Sequence, residues 1–177
     1  MYSLNVPVPG RVARVAAELA PALVEFETIR DEHTLVAKRL GDPVPDEHPH
    51  LQQQVRTALA GSGEFSASTP VAPFETRITG IDYFERPVAG PGPVVYLAVE
   101  SPGIEAVHHR LAEVVPPADG IEGNDYVPHV TLARGGRLAD ARTLADRGIE
   151  PVTWTVEELV FWDGRHGGPA GRVRLPA

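Results

Sequence analysis

The chain has 177 residues, 42% of them hydrophobic and 23% charged, with a formal net charge of -8 and no cysteine. That composition fits one globular domain large enough to bury a core, and it excludes disulfides, thiolate metal sites and a long basic track for duplex nucleic acid. No apolar run approaches the roughly 18 residues a membrane span needs and residues 1–9 lack a signal-peptide pattern, so a cytoplasmic protein without membrane contact is expected.

Residues 2–8 alternate, with Leu4, Val6 and Val8 on one side, and predict a strand ended by Pro9-Gly10. From 11 to 23, Val12, Val15, Ala16, Leu19 and Leu23 recur at three- and four-residue spacing and predict an amphipathic helix. Residues 33–40 predict a strand, bounded by Asp31-Glu32 and Gly41-Asp42-Pro43, and 51–59 a helix entered through His48-Pro49-His50. Strands follow at 64–68 and 73–84, split by Thr69-Pro70, and the Pro/Gly cluster at 87–93 marks a boundary between halves. Beyond it come a strand at 94–100, a helix at 104–115 and a Gly/Asp-rich loop at 116–124. A short strand at 126–134, a helix at 138–147, a strand at 152–162 and a last strand at 172–175 complete the chain.

The stretch Tyr126-Val127-Pro128-His129-Val130-Thr131-Leu132-Ala133-Arg134 carries the clearest chemical signal. Strand alternation turns His129 and Thr131 to one face and Val130 and Leu132 to the other. An imidazole beside a hydroxyl can move a proton and hold an anionic oxygen, one half of a phosphate site. A second half is suggested by an internal echo: Leu4-x-Val6-x-x-Pro9-Gly10 matches Leu97-x-Val99-x-x-Pro102-Gly103, 93 residues apart. Each copy leads into a helix, a loop and a strand opening with histidine, His33 in the first and His129 in the second. Such a duplication predicts a pseudo-twofold α+β fold with both imidazoles facing one cleft.

His129-Val130-Thr131-Leu132, with Pro128 before it and Ala133-Arg134 after it, resembles the second histidine-x-threonine-x motif of the two-histidine (2H) phosphoesterases, in particular their 2′-5′ RNA ligase and cyclic-nucleotide phosphodiesterase branch. The resemblance implies a bilobal α+β fold, two antiparallel sheets flanking a central cleft with helices outside. Lobes at about 1–86 and 94–177 would form one domain and exchange strands. It also implies metal-free, cofactor-free chemistry on 2′,3′-cyclic phosphates or 2′-5′ linkages, with His33 and His129 as acid and base. The substrate would be a small nucleotide or RNA end, and the protein a monomer. The first motif departs from the pattern: His33-Thr34-Leu35 has its threonine one residue early, and its spacing to Leu40-Gly41 is one residue long. A bulge near Thr34 would repair both; otherwise Lys38 or Arg39 would supply the phosphate contact. Thr131, Thr34, Lys38 and Arg134 are thus the phosphate-binding candidates, and Tyr126 a candidate for stacking on a base.

Two rivals stand beside this expectation. The same cleft could hold a phosphorylated RNA end without turning it over, or His48 and His50, next to Asp46 and Glu47, could belong to a metal-dependent hydrolase. His108-His109 lies in a predicted helix and reads as surface, and no GxGxxG or GxxxxGK[ST] pattern is present.

Overall fold

The computed structural model describes residues 1–62 and 69–176. The strand expected at 64–68 lies outside them. Among the described residues the order is β1 (Tyr2–Val6), α1 (Gly10–Leu19), β2 (Thr28–Ile29), β3 (Leu35–Arg39), α2 (His48–Leu59), β4 (Phe74–Phe84), β5 (Val94–Glu100), α3 (Pro102–Ala112), β6 (His129–Arg134), α4 (Leu138–Ala145), β7 (Val152–Val156), β8 (Glu158–Asp163) and β9 (Gly168–Arg174). No helix among them is long and apolar enough to cross a membrane.

All strand pairs are antiparallel, in the order β7-β4-β5-β6-β3-β1-β8-β9, with β2 added beside β6. This is an α+β fold with four strands on either side of a β6–β3 junction. The two arms touch there at one rung, Leu35 opposite Val130. Chain order and sheet order differ: β4 follows α2 yet pairs with β5, and β8 returns from the far end to pair with β1. The strand expected at 152–162 is therefore two strands broken at Glu157, because β7 completes one arm and β8 the other.

One face of the sheet is sealed by the helices. Leu4, Leu35, Leu97, Val130, Ile78 and Phe161 pack with Val12, Val55, Leu59, Ile104, Val107, Leu111 and Leu144 in one core. Burial on that scale, about 25 cal/mol per Å² of apolar surface, is what holds a twisted sheet to its helices. The echoed Pro-Gly steps serve different ends. Ser101 caps α3 by accepting from the Ile104 amide, and a Cβ on Gly103 would lie 2.2 Å from the Phe74 ring. A Cβ on Gly10 would meet nothing.

Candidate active site

On the face away from the helices, β6 presents His129 and Thr131, both half-buried, above the fully buried Val130 and Leu132. Tyr96 of β5 stands opposite Thr131 and Ala98 opposite His129. Asp82 of β4 stands opposite Tyr96 in turn. Opposed residues share a face, so these side chains form one floor. The Phe84 ring closes its edge, its centroid 4.4 Å from that of Tyr96 and 5.2 Å from that of His129.

The orientation of His129 is fixed by the carbonyl of Val127, 2.7 Å from Nδ1. A carbonyl only accepts, so Nδ1 carries the proton and Nε2 is the basic nitrogen. Burial lowers the pKa of His129; the bond to Val127 opposes that, and the guanidiniums of Arg39 and Arg134 lower it further. The ring is thus neutral at neutral pH and able to take a proton. The Tyr96 hydroxyl is held in its protonated form, raised by burial and by Asp82.

Arginines set the potential around this floor. Burial, Arg30 and Arg39 all lower the pKa of Arg134, which lies within the fields of both guanidiniums. Arg134 donates from one terminal nitrogen to the Ala89 carbonyl at 3.0 Å, while its Nε is buried with no partner among the described residues. Arg39 has Glu122 at 3.6 Å. Clustered positive charge of this kind concentrates anions.

Residues 34–168, well over half of the chain, match the family model described as the 2′-5′ RNA ligase superfamily. The chain belongs to that superfamily. Its fold is also that of a crystal structure of E. coli LigT complexed with 3′-AMP, at 14% identity and a TM-score of 0.68, covering 99% of this chain and 98% of that one. A crystal structure titled as a phosphoesterase aligns with a TM-score of 0.65 at 17% identity, covering 99% and 98%. TT0787 of Thermus thermophilus aligns with a TM-score of 0.61 at 21% identity, covering 98% and 97%. No curated protein sequence matches the chain.

The first motif of this superfamily member is laid out differently from the second. Ile29 opposes Ala133 and Leu35 opposes Val130, so six steps along one chain span three along β6. The excess leaves the ladder between β2 and β3, and His33 sits in that excursion. It is half-buried, its pKa lowered by burial with Asp31 opposing, and no hydrogen bond or ring contact joins it to His129. Thr34 directly precedes β3. A bulge does occur, but at Ala37: Leu4 opposes Lys38 and Asn5 opposes Val36. It leaves the order His33-Thr34 as it was.

Three expectations are corrected by the packing. Lys38 does not face the cleft: its ammonium is fully buried and bonds the Glu122 carboxylate at 2.6 Å, the Arg39 carbonyl at 2.8 Å and the Pro116 carbonyl at 3.3 Å. All three of its donors are occupied, so it has none for a phosphate. Burial would raise the pKa of Glu122, but bonds from Lys38 and from the Ala118 and Arg39 amides bring it below the usual carboxylate range. Tyr126 is not open to a base, because its ring stacks on His108 at 3.8 Å and its hydroxyl donates to the Val36 carbonyl at 2.7 Å. His108 is not on the surface: it is fully buried, with Nδ1 donating to the Ala37 carbonyl and Nε2 accepting from the Gly123 amide.

Of the metal candidates, His48 stacks on Tyr2 at 4.3 Å, and no group of three or more His, Cys, Asp or Glu side chains gathers for an ion among the described residues. Arg30, Tyr96, Asp82 and Phe84 are site residues the sequence reading did not assign, whereas Arg39 stood there as the alternative to Lys38 for the phosphate contact. Arg39 had a signal, since Arg39-Leu40-Gly41 and Arg134-Gly135-Gly136 both place an arginine before a glycine turn. Tyr96, Asp82 and Phe84 had none, because cross-strand pairing brings them in.

Proposed function

We propose that the open face binds the phosphate of a small nucleotide or RNA end, and that His129 is the base in metal-independent cleavage of a 2′,3′-cyclic phosphate or 2′-5′ phosphodiester. The observation that carries this is the tethered Nδ1 of His129, which leaves Nε2 free to accept a proton within the fields of Arg39 and Arg134. Nε2 takes a proton from water as its oxygen attacks phosphorus and the bond to the leaving ribose oxygen breaks; in the reverse direction the protonated ring returns that proton to the departing water oxygen. Thr131 and the arginines hold the non-bridging oxygens and offset their charge. The test is hydrolysis of a nucleoside 2′,3′-cyclic phosphate in excess chelator. Activity in the wild type that disappears in His129→Ala supports the reading; unchanged activity in that variant, or loss on adding chelator, ends it.

A second reading, an RNA-end or nucleotide-binding module, is favoured by one observation: among the described residues no second imidazole lies in the strands paired with β6. Titration of the wild type with a 2′- or 3′-nucleotide, showing binding without turnover, would select it.

A further inference from the structure

The two central strands repeat each other position by position. Residues 34–39 run half-buried, buried, half-buried, buried, buried, half-buried, and residues 129–134 run the same way. The doubled buried step has one cause in both copies: Ala37 drops out of the β1–β3 register as Leu132 drops out of the β5–β6 register. Leu35 and Val130 oppose each other at the one rung where the arms meet, where a twofold axis would pass, and the strand order is symmetric about that junction. Each copy ends in an arginine, and two residues further on Gly41 and Gly136 both take positive φ, 79° and 84°. This registration relates Thr34 to His129, Val36 to Thr131 and Arg39 to Arg134.

We infer that the cleft carries a single catalytic imidazole: Thr34 occupies the position that the twofold relates to His129, Val36 the position related to Thr131, and only the arginines are kept in both halves. The inference rests on His129 being the base and narrows what that base can do. As water attacks, its proton passes to Nε2 of His129 and the new P–O bond forms. The bond to the leaving oxygen breaks, and that oxygen departs as an anion beside Arg39 and Arg134, to be protonated by solvent. His129 then returns its proton to solvent. The groups in contact with His129 or acting on its charge are Arg39, Arg134, Tyr96 (with Asp82 behind it) and Phe84; Tyr96 keeps its proton and the arginines keep their charge. None is a neutral-pH acid. The substrate class that suits such a site is a phosphodiester with a strained or weakly basic leaving group, a cyclic phosphate or an aryl or phosphoanhydride ester, ahead of an unstrained 2′-5′ linkage.

The experiment compares a nucleoside 2′,3′-cyclic phosphate, a nucleoside 4-nitrophenyl phosphodiester and a 2′-5′ dinucleotide over pH 5 to 9 with chelator. The expected wild-type profile is one rising limb and a plateau, with the nitrophenyl ester cleaved at least about 10²-fold faster than the dinucleotide. Thr34→His/Val36→Thr is expected to speed the dinucleotide at least about tenfold and to add a falling alkaline limb. A bell-shaped wild-type profile, with a loss of about 10²-fold or more in His33→Ala, overturns the inference and restores His33 as the acid. A wild type that cleaves none of the three, with a double variant that does, keeps the inference and removes hydrolysis as the native activity. Silence in both removes both. The wild-type profile needs no variant, and Thr34→His alone serves if the pair unfolds the protein.

Discussion

β3 and β6 have the same length of chain on the cleft, the same bulge and the same terminal arginine, yet they are held in opposite ways. β6 keeps its polar groups in the open: His129 is tied only at Nδ1, and Thr131 points to the floor shared with Tyr96. β3 is fastened from behind. The Ala37 carbonyl is taken by His108, the Val36 carbonyl by Tyr126, and Lys38 and the Arg39 amide by Glu122. On the function proposed above, β6 carries the proton chemistry while β3 is a support that holds Arg39. Similar backbones would then serve a reactive and a structural role, set by which side chains fill equivalent positions.

The largest expected effect breaks the comparison on the β6 side. His129→Ala removes the free Nε2 and should lower kcat for cyclic phosphate hydrolysis by roughly 10²–10⁴-fold with little change in thermal midpoint, measured by steady-state kinetics and calorimetry. Next comes the support. Lys38→Met takes the buried cation from the Glu122 carboxylate and leaves it only the more distant Arg39 guanidinium at 3.6 Å, which should cost about 3–5 kcal/mol in urea unfolding. Lys38→Met/Glu122→Leu should recover most of that loss, since an apolar pair of similar volume replaces the ion pair. Equal destabilisation in the single and double variants would show that the carboxylate acts mainly through its backbone bonds.

How much of this was legible in the sequence follows from the same contrast. The order of strands and helices could be read, because hydrophobic period switches cleanly between two and about three and a half along the chain. The facing of His129 and Thr131 could be read too, since alternation alone decides it. The role of Lys38 could not: lysine is almost never fully buried, and its partner Glu122 lies 84 residues away. Burial of His108 was legible in principle. It lies four residues after Ile104 and three before Leu111, on the apolar stripe of α3. The two-residue strand β2 has both side chains exposed and no pattern to betray it. It diverts the chain ahead of β3, so the excursion that carries His33 out of the ladder was hidden as well. The echo gave the right order of elements but not the right register, for the pairing relates Val6 rather than Leu4 to Leu97.

Acidification offers a finer probe of the two strands. His33, His108 and His129 all have pKa values lowered mainly by burial. The unfolded chain therefore binds more protons below about pH 6.5 than the native one. Stability contributed by the neutral rings is present above that pH and lost as pH falls toward the native values. Urea midpoints measured from pH 8 to pH 5 should fall, and His108→Asn should be less stable at pH 8 yet show a shallower slope.

The smallest effect bears on Arg39, where the support and the proposed chemistry meet. Its charge lowers the pKa of His129 alongside Arg134 and burial. Replacing it with a neutral residue therefore moves that pKa up, and the rising limb of the pH–rate profile must move to higher pH with it. Arg39→Gln should show that alkaline displacement, with the plateau lowered at the same time because phosphate binding is weaker. An Arg39→Lys variant keeps the charge and should restore the limb, but only part of the plateau, since an ammonium lacks the planar fork that fits phosphate oxygens. A limb that stays in place in Arg39→Gln would mean that burial alone sets His129, and β3 would then be a support without a part in the reaction.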